Sequence, residues 1–228
     1  MNSQNSNNLQ QLKQNAENAI EASEWNKAKS ILSEIIQIDK SDHIVWYEMG
    51  YCHLMLEEID QAIDCLRRSI SVQPGLENVY LTLSHAYIRA SDITSTIEIL
   101  QELIKLFPDS AEGYRLLGGA YMLNAQDFEA EECFLKSLDI LPDQSYTRLH
   151  LGALQSRMLK FDSAIKHLNI VLDSGELAGE AHIQLGNTYK DSGEYDKAIK
   201  HYETAMVLMP DATELKANLD LVREKLNG

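Results

Sequence analysis

Residues 179–212 read GEAHIQLGNTYKDSGEYDKAIKHYETAMVLMPDA. His182, Leu185, Gly186 and Tyr189 fall at i, i+3, i+4 and i+7, the spacing of one face of an α-helix. Beyond Gly193 the pattern resumes at Ala198, Tyr202 and Ala205, and Pro210 ends it. The stretch therefore reads as two helices joined by a turn, with proline closing the second helix.

Working outward, the same pattern recurs. Pro74, Pro108 and Pro142 are each 34 residues apart, Pro210 lies two further periods beyond Pro142, and there is no other proline. A fixed period of this length calls for a repeat architecture. One column on this period holds small residues: Ala16, Gly50, Ser84, Gly118, Gly152 and Gly186. A second holds Ala28, Ala62, Thr96, Ala130, Ala164 and Ala198, and a third is always large: Leu32, Leu66, Leu100, Phe134, Leu168 and Tyr202. They define six repeats, residues 9–42, 43–76, 77–110, 111–144, 145–178 and 179–212. The small residue lets two helix axes approach, and the large ones fill the space around the contact. Helices of three to four turns are marginal alone in water, so each pair must bury its apolar face on its neighbours.

Two segments flank the repeats. Residues 1–8 are polar and low in complexity and are expected to be a disordered Asn/Gln/Ser-rich tail. Residues 213–228 are expected to form a capping helix, with Asp211 and Glu214 as its N-terminal capping pair and Leu215, Leu219, Val222 and Leu226 as its apolar stripe.

These columns resemble the tetratricopeptide repeat family over residues 9–212, most closely in the sixth repeat and in the second through Trp46, Gly50, Ala62 and Pro74. The first repeat departs through Asn15, Ala19 and Lys40, and the fifth through Arg148, Gln155 and Glu176. The resemblance implies a right-handed all-α solenoid whose first helices line a concave face.

Composition narrows the function. The net charge is −15, from 35 acidic and 20 basic residues. Such a surface repels phosphate backbones and anionic membranes, so nucleic acid is not an expected partner. No stretch is long and apolar enough to enter a membrane, and the start shows no basic and apolar leader; a cytoplasmic location is expected. Cys52, Cys65 and Cys133 lack CxxC spacing and read as packing residues. The seven histidines form no HExxH or Cys/His cluster, there is no GxSxG elbow or phosphate loop, and Gly118-Gly119 lies inside a helix. A non-catalytic protein with no metal and no cofactor is the expectation.

The remaining question is the surface. With the inner face implied by the resemblance, the residues spaced i, i+4, i+8 on the first helices are Lys13, Glu17 and Glu21; Tyr47, Tyr51 and Met55; Leu81, His85 and Arg89; Arg115, Gly119 and Leu123; Leu149, Ala153 and Arg157; and Ile183, Asn187 and Asp191. The expected peptide-binding groove is Tyr47, Tyr51, Met55, Leu81, His85, Arg89, Arg115, Leu123, Leu149, Arg157, Ile183 and Asn187. Apolar area and Tyr/Arg side chains mark binding surfaces, and the three arginines suit carboxylates on a partner segment with apolar anchors. The competing reading is that some of these side chains pack on the next repeat and that the arginines pair with nearby glutamates. Capture of a chaperone's terminal carboxylate is not expected, because Glu17 stands where that subset of the family needs asparagine. Self-assembly into homo-oligomers, with the N-terminal segment received by another copy, is the alternative function.

Overall fold

Period-3.6 stripes interrupted every 12 to 14 residues leave room for helices of about four turns. The computed structural model describes residues 3–227, with side chains from 7 to 226. Among these residues are thirteen α-helices and no strand. They divide into two compact units, Met1–Pro108 and Asp109–Gly228. The first holds α1 (Ser3–Glu21), α2 (Trp25–Ile38), α3 (His43–Met55), α4 (Ile59–Val72), α5 (Glu77–Arg89) and α6 (Ile93–Leu106). The second holds α7 (Ala111–Leu123), α8 (Asp127–Ile140), α9 (Ser145–Arg157), α10 (Phe161–Ser174), α11 (Ala178–Asp191), α12 (Tyr195–Leu208) and α13 (Glu214–Asn227). In each unit, helices consecutive in sequence pack on one another, so each is an all-α solenoid of stacked hairpins.

The three columns meet at one point in each hairpin. A Cβ placed on Gly50 would lie 2.7 Å from Leu66, on Gly118 2.8 Å from Phe134, on Gly152 2.7 Å from Leu168, and on Gly186 2.7 Å from Tyr202. The large residue of the second helix thus occupies the space that the missing side chain of the first leaves. Backbone oxygens of Ala62, Ala130 and Ala164 stand 3.2–3.3 Å from the same points, so the backbones themselves are in near contact. Ala16 and Ser84 fill this column in the first and third repeats and are fully buried.

The turn inside each hairpin also repeats. Ser23, Glu57, Ser91, Ala125, Leu159 and Gly193, spaced by 34, all have positive φ, from 57° to 83°. The next amide closes back on the first helix in each case, as in Glu58 N–H to His53 O (2.9 Å), Lys160 N–H to Gln155 O (2.8 Å) and Glu194 N–H to Tyr189 O (2.8 Å). This bond satisfies a carbonyl at the helix end. Between hairpins, Gln73, Phe107, Leu141 and Met209 precede the prolines with extended φ values between −126° and −148°. Where proline is absent the chain turns by other means. Asp39 accepts from the amide and hydroxyl of Ser41, and Asp42 caps α3. In the fifth repeat Gly175 and Leu177 both take left-handed conformations, at φ 75° and 50°.

Three expectations need correction. Helix α1 begins at Ser3, so residues 3–8 are helical rather than a disordered tail, and residues 1–2 lie outside the described residues. Extending a helix already nucleated on the Leu9/Leu12 stripe adds one bond per residue, which polar residues allow. Helix α13 starts at Glu214, so Thr213 rather than Asp211 precedes it. Its Leu215, Leu219 and Val222 are buried with Ala198, Tyr202 and Ala205, but Leu226 stands outside that cluster and is 44% exposed.

Candidate functional site

The first helices of the first unit carry an aromatic group. Tyr47 and Tyr51, one turn apart on α3, have ring centroids 6.5 Å apart, and Trp25 of α2 meets Tyr51 edge-on at 5.8 Å. Met55, one turn further, is 44% exposed. All three rings are partly exposed, while Tyr47 leans on the core around Leu83. Leu81 is half-buried and His85 exposed on α5. Arg89 donates to the Leu54 carbonyl (2.9 Å) and pairs with Glu57 (2.5 Å) at the preceding turn.

A carboxylate sits beside this group. Glu48 of α3 is partly buried near Glu17 and Asp42, and Lys13 is committed to Asp42. Burial first, and the two carboxylates second, push Glu48 up to about 7. Burial likewise raises the thiols of Cys52 and Cys65 to about 11 and Cys133 to about 12, so all three are free, unreactive packing groups.

In the second unit the expected residues separate. Arg115 forks onto Glu112, with Nε to Oε2 at 2.7 Å, and lies over the Tyr146 ring at 5.7 Å. Arg157 forks onto Asp127, with Nε to Oδ2 at 3.0 Å. Leu123 is 66% exposed. Leu149 does not belong to a surface: it is 8% exposed and packs with Leu168, Val171, Ala181 and Leu185, because α11 leans on α9 and covers it. Ile183 packs half-buried on the Ala198/Tyr202 core, and Asn187 accepts a hydrogen bond from the Tyr202 hydroxyl (2.7 Å). The three arginines therefore all have carboxylate partners inside their own unit, at residues within one turn or one repeat, which the column analysis left open.

A feature without a sequence signal lies on the opposite side, between second helices. In the first unit α4 and α6 diverge over α5 and leave an open cavity of about 300 Å³. Its floor is Leu83 and Tyr87, its sides carry Ile70 and Ile99, and Arg67 faces it from α4 while Glu98 and Glu102 face it from α6. In the second unit the two columns that supply Tyr87 and Ile99 hold Tyr189 and His201. There His201 stacks on Tyr189 at 5.3 Å, Lys197 covers the other part of that ring at 5.0 Å, and His201 Nδ1 meets His182 Nδ1 at 2.9 Å. Burial, then His182, pushes His201 down to about 4. The fifth repeat holds Gln155 and His167 in these columns, each with one buried polar atom lacking a partner.

Among the described residues no three His, Cys, Asp or Glu side chains gather to hold a metal, and no helix is long and apolar enough to cross a membrane. The tetratricopeptide repeat family matches residues 44–75, 79–110 and 179–212. Among solved structures the chain is similar to PilF of Pseudomonas aeruginosa (16% identity, TM-score 0.75, covering 92% of this chain and 95% of that one). It is also similar to YrrB, described as a tetratricopeptide repeat protein with an unusual peptide-binding site (14%, 0.71, 82% and 96%). A third is MamA of Desulfovibrio magneticus RS-1 (19%, 0.68, 72% and 93%). At these identities the likeness is one of fold.

Proposed function

The chain belongs to the tetratricopeptide repeat family, and on that premise we propose that it is a non-catalytic scaffold holding a segment of a partner protein on the exposed faces of its first helices. The observation that carries this reading is the group Tyr47, Tyr51 and Met55 on one face of α3, with Trp25 of α2 edge-on to Tyr51: three aromatic rings and a thioether kept partly in solvent. Large amphipathic rings already held in place lose little freedom on binding and dominate interface energetics. The peptide-binding site named for YrrB supports the same kind of task here.

The arginines enter this function in a changed role. Arg89, Arg115 and Arg157 are neutralised by Glu57, Glu112 and Asp127, so a partner carboxylate would have to displace an internal one. Apolar anchoring therefore supplies affinity, and charge sets register and on-rate. Within the first unit, Leu81 and His85 of α5 add complementarity to the aromatic group.

The test is quantitative affinity purification from the native cell with Tyr51→Ala/Met55→Ala as the comparison. Proteins held by the wild-type chain should be depleted about tenfold or more on the double variant, at unchanged helicity by circular dichroism. Equal recovery on a folded double variant rejects the proposal. Light scattering on the purified chain separates the alternative: a mass that rises with concentration and falls back in the same variant would make a second copy the occupant.

A further inference from the structure

We propose that the cavity between α4 and α6 is a second docking site, separate from the first-helix face, and that it takes an amphipathic helical segment of a partner protein: one leucine-sized apolar anchor with a basic residue on one flank and an acidic residue on the other. Three observations specify that occupant.

The first is the floor. Leu83 and Tyr87 are buried under the opening, and Ile70 and Ile99 wall it, so the bottom of the site is apolar. About 300 Å³ is at the small end of ligand pockets and accommodates a side chain rather than a whole helix. The helix itself would lie along the trough between α4 and α6 and lower its anchor, the mode by which apolar grooves read helical segments.

The second is the polarity of the walls. Arg67 stands on α4 with its guanidinium over the Tyr87 ring at 6.0 Å and hydrogen-bonded to that tyrosine, and its charge reaches Asp92, but it forms no salt bridge among the described residues. Glu98 and Glu102 stand one turn apart on α6, facing it, and Glu102 accepts from the Tyr80 hydroxyl at 3.2 Å. One wall asks for an anion and the other for a cation. A helical segment supplies both, because residues at −4 and +3 from an anchor project to one side and those at −3 and +4 to the other.

The third is the contrast with the sixth repeat. The two columns that leave it open hold Tyr189 and His201 in the sixth repeat, where the imidazole stacks on the phenol and fills the place. Ile99 carries no ring to stack there, and the cavity lies beside it.

The probes are two fluorescein-labelled, alanine-rich 15-residue helical peptides with a central leucine, used on the full chain and read by fluorescence anisotropy. One carries lysine at −4 and +3 and glutamate at −3 and +4; the other has these charges exchanged, which covers both directions of the helix along the trough. One peptide should bind saturably, and its leucine-to-serine version should not. Arg67→Glu, at an exposed position, should weaken it about tenfold or more, and replacing the peptide's glutamates by lysine should restore affinity to that variant. Ile99→His, copying the sixth repeat, should close the site at unchanged helicity; if that variant misfolds, the Arg67 exchange decides alone. Tyr51→Ala/Met55→Ala should leave peptide binding unchanged, which keeps failure here distinct from failure of the first-helix face. The proposal is overturned if neither peptide saturates, or if binding survives Arg67→Glu and is lost in Tyr51→Ala/Met55→Ala.

Discussion

The third and sixth repeats place a tyrosine at the same point of their first helix, and they finish the space above it differently. Against Tyr189 the second helix brings His201, which stacks on the ring at 5.3 Å, and Lys197, 5.0 Å from its centroid. Over Tyr87 it brings Ile99, and a cavity remains beside Arg67. The hairpins also differ in the crossing columns: Gly186 lies under Tyr202, whereas the third repeat holds Ser84, Thr96 and the smaller Leu100 in the small, alanine and large columns, all fully buried. A shared backbone thus tolerates either a tightly closed, family-like pair or a looser one with a usable gap.

The sharpest way to break that contrast is at the crossing. Gly186→Leu should destabilise by about 1–3 kcal/mol from overpacking, since even a Cβ would stand 2.7 Å from Tyr202. Ser84→Ala should cost no more than about 1 kcal/mol, the worth of its hydroxyl bond to the Leu81 carbonyl. Thermal or urea unfolding showing the two variants alike would remove the close-approach account of the small-residue column.

Acid should separate the units next. His201 has its folded pKa lowered from 6.5 to about 4. The unfolded chain binds the extra proton, so stability is full above pH 6.5 and falls as pH drops through 4. Removing the titration with His201→Phe should recover about 1–2 kcal/mol near pH 5, after allowance for screening. Glu48 in the first unit has the opposite sign. Its folded pKa is raised from 4.5 to about 7, so the folded state binds the extra proton, and stability is full below pH 4.5 and declines as pH rises through 7. Glu48→Gln should therefore stabilise by about 1 kcal/mol at pH 8 and have little effect at pH 4. Urea melts across pH 4–8 check both, and slopes of the same sign in the two variants would defeat the contrast.

The smallest expected effect lies in the hairpin turns. Only the sixth repeat has glycine at the left-handed position, Gly193, while the fifth puts Leu159 there at φ 60°, 71% exposed. Leu159→Gly should stabilise by about 0.5–1 kcal/mol by relieving that conformation. A lower melting temperature would show that the leucine contributes packing that its exposure does not suggest.

Much of the fold was legible because a helix crossing tolerates few residue types. The series Gly50, Gly118, Gly152 and Gly186 carries the period even where proline gives way to Lys40 or Glu176. The left-handed turn column escaped notice for the opposite reason. Five of its six members are Ser23, Glu57, Ser91, Ala125 and Leu159, so no residue type marks it, and the backbone bond to the first helix imposes the conformation. The candidate surface was legible only in part. Tyr47, Tyr51 and Met55 stand exposed or partly so on one face of α3, but periodicity places Leu149 on the same stripe while α11 covers it.

What the sequence determined by itself is the repeat: where each hairpin starts, which residues meet at its crossing, and that residues 9–212 are paired helices. Those follow from local spacing and from the volume a close contact permits. What only the tertiary structure decided is which polar and apolar side chains remain available. Arg89, Arg115 and Arg157 find Glu57, Glu112 and Asp127, and a cavity stays open beside Ile99 above the buried Tyr87, whereas His201 stacks on the partly buried Tyr189. Availability depends on neighbours brought together from different turns and helices, and a column of residues read one repeat at a time does not contain that distance.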